Sequence, residues 1–180
     1  TMLNSRLAEI RQQANPPFTG ASAGYGDFFV AKTKNAFGVD ASSKIDGIEL
    51  AMKTILEETE RARRFGFTET EYDRARANYL QRVESAYNER EKMKNDTYVN
   101  EYISNFLDNE PMPGIEYEYA MMNQLAPNIP VAAINQVMQQ LITHNNQVVL
   151  LAGPEKEGVK YPTKEEIAAL LKQMNSFDLK

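Results

Sequence analysis

Imidazoles, thiols and convergent carboxylates carry most hydrolytic and metal chemistry, and this chain has one histidine, His144, and no cysteine. A catalytic zinc centre needs two or three imidazoles plus a carboxylate, and the helical motifs that supply them set two histidines on one face. The chain alone holds too few such donors. His144, between Thr143 and Asn145 at an expected helix end, reads as a side chain favoured by the helix dipole. No Gly-x-Ser-x-Gly nucleophile motif accompanies it, so a Ser-His-Asp arrangement is not expected. Lack of cysteine removes disulfides, thiol catalysis and Cys-ligated zinc, and is compatible with cytoplasm and periplasm alike. No catalytic residue and no metal ligand is assigned.

Glu57, Glu58 and Glu60 form a set of the kind acid/base chemistry uses, but arginines follow at pairing distance, so a solvated helix face is the expected reading. Gly20, Gly24 and Gly26 suggest a phosphate cradle, yet no Gly-Lys-Ser/Thr follows and no helix opens there. Small residues in a strand more commonly mark close approach of another backbone. That reading has a functional version. An edge strand over Thr19, Gly20, Ala21, Ser22, Ala23, Gly24 and Tyr25, with little side-chain bulk, accepts an extended peptide by β-addition. The tyrosines fall largely at helical spacing, as core or interface rather than a base-stacking platform, and Met121-Met122 reads as gap-filling core.

These groups need a scaffold. Leu3, Leu7 and Ile10 give a short helix that Asn15-Pro16-Pro17 stops. Phe18 to Ser42 reads as two or three strands with turns near Gly26-Asp27 and Lys34-Asn35. Ser43 is placed to cap a helix whose apolar face is Ile45, Ile48, Met52, Ile55, Leu56, Thr59 and Ala62. Its polar face offers Glu57 with Arg61 and Glu60 with Arg64, and Gly66 is its stop. Thr68-Glu69-Thr70-Glu71 is a capping box that opens a long helix along Tyr72, Ala75, Tyr79, Val83 and Ala86. Further helices are expected around Tyr98 to Phe106, Ile115 to Leu125 and Val131 to Ile142, the last with Pro130 in its first turn. Gln147 to Ala152 is short and β-branched and reads as a buried strand ending at Gly153-Pro154. A second capping box, Thr163 to Glu166, starts a C-terminal helix.

Strands in an early block and one late strand, with helices between, predict an α+β two-layer domain: helices packed on one face of an antiparallel or mixed sheet. Such a sheet is thin, so an N-terminal part with one or two more strands is expected to be missing. With 180 residues, 42% hydrophobic, the chain suits one domain or slightly more. A net charge of -5 is the wrong sign for a nucleic-acid partner. The longest purely apolar run, Val148 to Ala152, is far short of the roughly 20 residues of a membrane span. Thr1-Met2-Leu3-Asn4 opens without the charged and apolar regions of a signal peptide, so either a leader lies upstream in a longer parent or none exists.

Taken together, these segments resemble the second domain of pitrilysin/insulinase-type zinc metallopeptidases. The likeness lies in Leu3 to Arg11, the small-residue strand pair, Ala51 to Glu60, and Arg61-Ala62-Arg63-Arg64-Phe65-Gly66-Phe67-Thr68-Glu69-Thr70-Glu71, and it extends to Val148-Val149-Leu150-Leu151-Ala152-Gly153-Pro154. Its most specific part is the Gly-Phe-Thr-x-x-Glu helix start. The resemblance implies the metallohydrolase-like fold of the mitochondrial processing peptidase type. It also implies a parent of two halves closing around unfolded peptides, with zinc on a His-x-x-Glu-His helix in another domain. No stretch here matches that helix, so the zinc belongs to the parent and no cofactor to this chain. The implied role is a non-catalytic domain, inactive alone, that forms part of the peptide-binding chamber. Its partners would be other domains of the parent and extended or unfolded peptides. Residues 1–155 would form one N-terminally truncated domain and 156–180 a helix and linker toward the next half. A bacterial periplasm or cell envelope is the location such relatives imply. The alternative is a stand-alone scaffold or interaction module derived from an inactive relative.

Overall fold

The computed structural model describes residues 1–28, 31–155 and 159–179. The chain forms an α+β fold of two compact units, one made of Thr1–Phe67 with Ala132–Lys180 and the other of Thr68–Val131.

In the first unit α1 (Met2–Arg11) turns the apolar period of Leu3 and Leu7 inward, where both are buried. The Asn15-Pro16-Pro17 stop delivers the chain to Phe18, which is 1% exposed. Two strands follow, β1 (Gly20–Phe28) and β2 (Ala31–Ser42), paired antiparallel from Gly20 opposite Ser42 to Asp27 opposite Asn35. Gly26-Asp27 and Lys34-Asn35, expected near turns, fall within the two strands, Gly26 opposite Ala36 and Asp27 opposite Asn35, with Lys34 where the register shifts. Their turn-prone types are overridden because each strand supplies the other's hydrogen bonds. Among the described residues the sheet has two strands, fewer than expected. A lone hairpin is marginal in water. Here α1 packs on β1, α2 (Ile48–Phe65) packs on β2, and the two helices touch, so both cover the same face.

The helix α2 starts later than expected. Ser43 does not cap it: its hydroxyl donates to the Lys44 carbonyl, and a single tight turn, Ile45–Gly47, intervenes. The core of this unit joins Ala51 and Ala62 of α2 to Phe67, Ile142, Met174 and Leu179. Ile142 follows α6 (Val131–Leu141), and Met174 follows α7 (Lys164–Gln173), which the Thr163–Glu166 capping box opens.

The expected strand at Gln147 to Ala152 is not formed. A strand exists through its ladder, and among the described residues β1 and β2 pair with no further strand. The apolar run is therefore exposed, Val148 by 70% and Leu150 by 73%.

The second unit is helical. Its α3 (Glu69–Glu89) opens with the expected box, Thr68 Oγ1 accepting from the Glu71 amide while the Glu71 carboxylate accepts from the Thr68 amide. Facing α5 (Ile115–Leu125), it buries Tyr72 and Val83. Tyr87 stacks on Tyr119 with centroids 4.5 Å apart, and Arg90 covers Tyr87 while its Nε lies 3.1 Å from Glu116. Tyr72 donates to the Ile129 carbonyl. Tyr72 is a core group and Tyr87 and Tyr119 are half-buried, whereas Tyr79 of α3, Tyr102 of α4 (Asn95–Asp108) and Tyr117 of α5 are exposed.

Candidate functional site

Of the residues from Thr19 to Tyr25, those from Gly20 on lie in β1 and Thr19 just precedes it, and they are not equivalent. The Thr19 amide and hydroxyl both donate to the Ser42 carbonyl, so Thr19 turns toward the partner strand. Ser22 donates to Asp40 directly opposite it. Ala23 faces the other way: its amide donates to Asn4 Oδ1 at 2.6 Å, and its carbonyl accepts from Asn4 Nδ2 at 2.9 Å. Backbone groups alternate along an antiparallel strand, so Ala21 and Tyr25 share the outward orientation of Ala23, while Gly20, Ser22 and Gly24 point to β2.

The outer edge of β1 is thus partly filled from within. The carboxamide of Asn4 has the donor and acceptor of a peptide group and pairs with Ala23 as an added strand would. Exposure follows the same division: Ala21 and Ala23 are half-buried, whereas Gly24 and Tyr25 are exposed, Tyr25 by 57%. A Cβ built on Gly20, Gly24 or Gly26 would meet nothing within 4 Å, so the glycines are not there to admit another segment of this chain. Asn4 was not legible as an edge ligand, because its partner lies 19 residues away and nothing local marks it.

The carboxylates behave differently from a solvated row. Glu57 lies 3.7 Å from Lys53, and Arg61 donates to Glu58 at 3.0 Å. Glu60, expected on the polar face, is 0% exposed. It accepts from Arg63 Nε at 2.9 Å and from Arg64 Nε, and His144 Nε2 lies 3.1 Å from its Oε2. Arg64 goes on to donate to the carbonyls of Met174 and Phe177. Burial alone would raise the Glu60 pKa, but the hydrogen bonds from Arg63, Arg64 and His144 outweigh it and bring it to about 2. Glu60 in turn raises the Arg63 pKa. A carboxylate held ionised at that value is no general acid or base near neutrality. The cluster is a staple between α2, the segment after α6 and the C-terminal segment. His144 accordingly serves Glu60, across 84 residues, rather than a helix end.

A second junction forms beside it. Asn135 of α6 accepts from the Phe67 amide at 2.8 Å and donates to its carbonyl at 3.1 Å. Arg6 of α1 donates to the Gly66 carbonyl at 2.9 Å and lies over the Phe67 ring.

The donor set does not fit a zinc ion. Among the described residues no three of His, Cys, Asp and Glu converge. The one imidazole is turned to a carboxylate already flanked by two guanidinium groups, whose charge repels a cation. No helix among the described residues is long and apolar enough to cross a membrane.

No protein-family model matches the chain. A zinc protease PQQL-like protein of Arabidopsis thaliana is 27% identical over 176 residues, which is 98% of this chain and 15% of that protein. The first half of the periplasmic protease PqqL from Escherichia coli superposes with a TM-score of 0.81 at 21% identity, covering 99% of this chain and 38% of that one. A Yersinia pestis protein described as a predicted insulinase family protease gives 0.74 at 13% identity, covering 97% of this chain and 36% of that one. The chain therefore spans well under half the length of each protein it matches. In sequence it is similar, almost from end to end, to one domain-sized part of a zinc protease, and its fold is that found within PqqL and insulinase-type proteases.

Proposed function

We propose that this chain is a peptidase-derived domain that forms part of the peptide-binding chamber of a longer zinc metalloendopeptidase and does not cleave peptides by itself. The observation that carries the reading is the match of 98% of the chain to only 15% of a zinc protease. In this reading the zinc and the catalytic base belong to other domains of the parent, which are this chain's partners. Residues 1–155 form the body of the domain, and 156–180, whose Met174 and Leu179 are buried in the first unit, lead on toward the next half.

Extended or unfolded peptides bind along β1 within Thr19 to Tyr25. Because Asn4 fills the groups of Ala23, the peptide pairs first with the outward groups of Tyr25. Replacing Tyr25 by proline removes an outward donor at an edge position where proline is tolerated. The affinity for a labelled unstructured peptide should fall by about tenfold, the worth of one to two hydrogen bonds. Unchanged affinity would reduce the strand to a purely structural element. The purified chain should neither turn over a quenched fluorescent peptide nor retain stoichiometric zinc. One tightly held zinc per chain, with turnover, would overturn the proposal.

A further inference from the structure

The helix α4 is built with its apolar face outward. Val99, Tyr102, Ile103, Phe106 and Leu107 recur at the spacing of one helical stripe, and all are exposed, from 48% at Val99 to 85% at Phe106. The half-buried residues of the helix include the polar Ser104 and Asn105. The stripe lines a shallow cavity of about 410 Å³. Isolated exposed apolar residues need no explanation, but a contiguous stripe of five large ones marks an interaction surface.

Charge says what the surface takes. From Asn95 to Glu155 there is neither lysine nor arginine, while Asp96, Glu101, Asp108, Glu110 and Glu118 fall in that stretch, and Glu116, also within it, is paired with Arg90. The negative end of the helix dipole lies at Asp108, next to Phe106. Asn109 closes the helix in the left-handed conformation, and Asn105 donates to the Glu110 carbonyl at 2.7 Å, which fixes Glu110 beside that end. The most exposed ring of the stripe, Phe106, therefore lies within a few residues of the negative helix end and of Glu110. A cation placed there gains from the carboxylate, the dipole and the ring face together.

We propose that the α4 face is a docking surface for apolar peptide segments that carry lysine or arginine beside their apolar residues. The inference rests on the peptide-binding reading and names the class of peptide. Two labelled peptides with the same leucine and phenylalanine positions, one filled with lysine and the other with glutamate, are titrated with the full chain by fluorescence anisotropy. The lysine peptide should bind at least about tenfold more tightly, and Phe106→Ala should remove about tenfold of that affinity. Glu110→Lys should erase the preference, and Tyr25→Pro should leave it in place. Phe106 of α4 and Glu110 just beyond it are both exposed, so these variants leave the core untouched. Equal affinity for the two peptides, indifference to Phe106→Ala, or self-association of the chain through this face in sedimentation would overturn the proposal. Peptide binding that responds to Tyr25→Pro but not to the α4 variants defeats this inference alone. Absence of binding by either peptide defeats both.

Discussion

Glu60→Gln is expected to destabilise the first unit by about 3 kcal/mol at neutral pH, because removing one partner of a buried ion pair leaves the others uncompensated. The carboxylate is 0% exposed, with Arg63, Arg64 and His144 around it. The arginines are 30% and 23% exposed, which keeps the cost at the lower end of the range for such pairs. Acid titration offers an independent check. The folded pKa of about 2 lies below the ordinary 4.5, so the folded state favours the ionised form. Lowering a carboxyl pKa by one on folding adds about 1.4 kcal/mol of stability, so the fall from 4.5 to about 2 adds about 3 kcal/mol, the size of the loss expected of the substitution. Because the folded value is the lower one, this stability is fully present above about pH 5 and is lost as the pH falls toward 2. Denaturant midpoints of the two proteins should thus differ most at pH 7 and converge in acid. A gap that is absent at pH 7, or that persists undiminished at pH 2, would disprove the role given to Glu60. His144→Ala, which removes one of three donors, should cost about 1 kcal/mol.

What the sequence disclosed and what it hid divide along the distance over which each feature is determined. The capping boxes at Thr68 and Thr163 are complete within four residues and appear where their spelling places them. Gly66 stops α2 as its type demands. Helical periods likewise marked α1, α3 and α5. Glu60 was misread because its spacing to Arg64 suits both a solvated and a buried pair. The choice is made by Met174, Phe177 and His144, more than eighty residues away. Gln147 to Ala152 has the composition of a strand, but composition supplies no neighbour to bond. The same holds for α4: an apolar stripe predicts a helix and is silent on whether anything covers the stripe. For the edge of β1, the small residues were visible, while the carboxamide that occupies Ala23 comes from α1 and was not.

The second large effect is expected at Gly66, where two independent constraints meet. Its φ of +69° with ψ of -153° lies in a region that essentially only glycine occupies, and any side chain there is strained by about 1–3 kcal/mol. A Cβ would also stand 2.5 Å from Nδ2 and 2.6 Å from Oδ1 of Asn135. That carboxamide cannot step aside without giving up both bonds to the Phe67 backbone, worth about 1 kcal/mol each. Gly66→Ala should therefore cost about 3–5 kcal/mol, and Asn135→Ala about 2 kcal/mol. The double variant distinguishes the two causes. With the Asn135 side chain gone the clash disappears but the backbone strain stays, so the double should be less destabilised than the sum of the singles. Strict additivity, or a Gly66→Ala cost below about 1 kcal/mol, would remove the steric half of the account. The consequence reaches the candidate site, because Arg6 holds the Gly66 carbonyl and belongs to the same helix as Asn4. A displaced Gly66 loosens α1, and the Ala23 amide, held by Asn4 at 2.6 Å, should lose hydrogen-exchange protection before the β1–β2 ladder does.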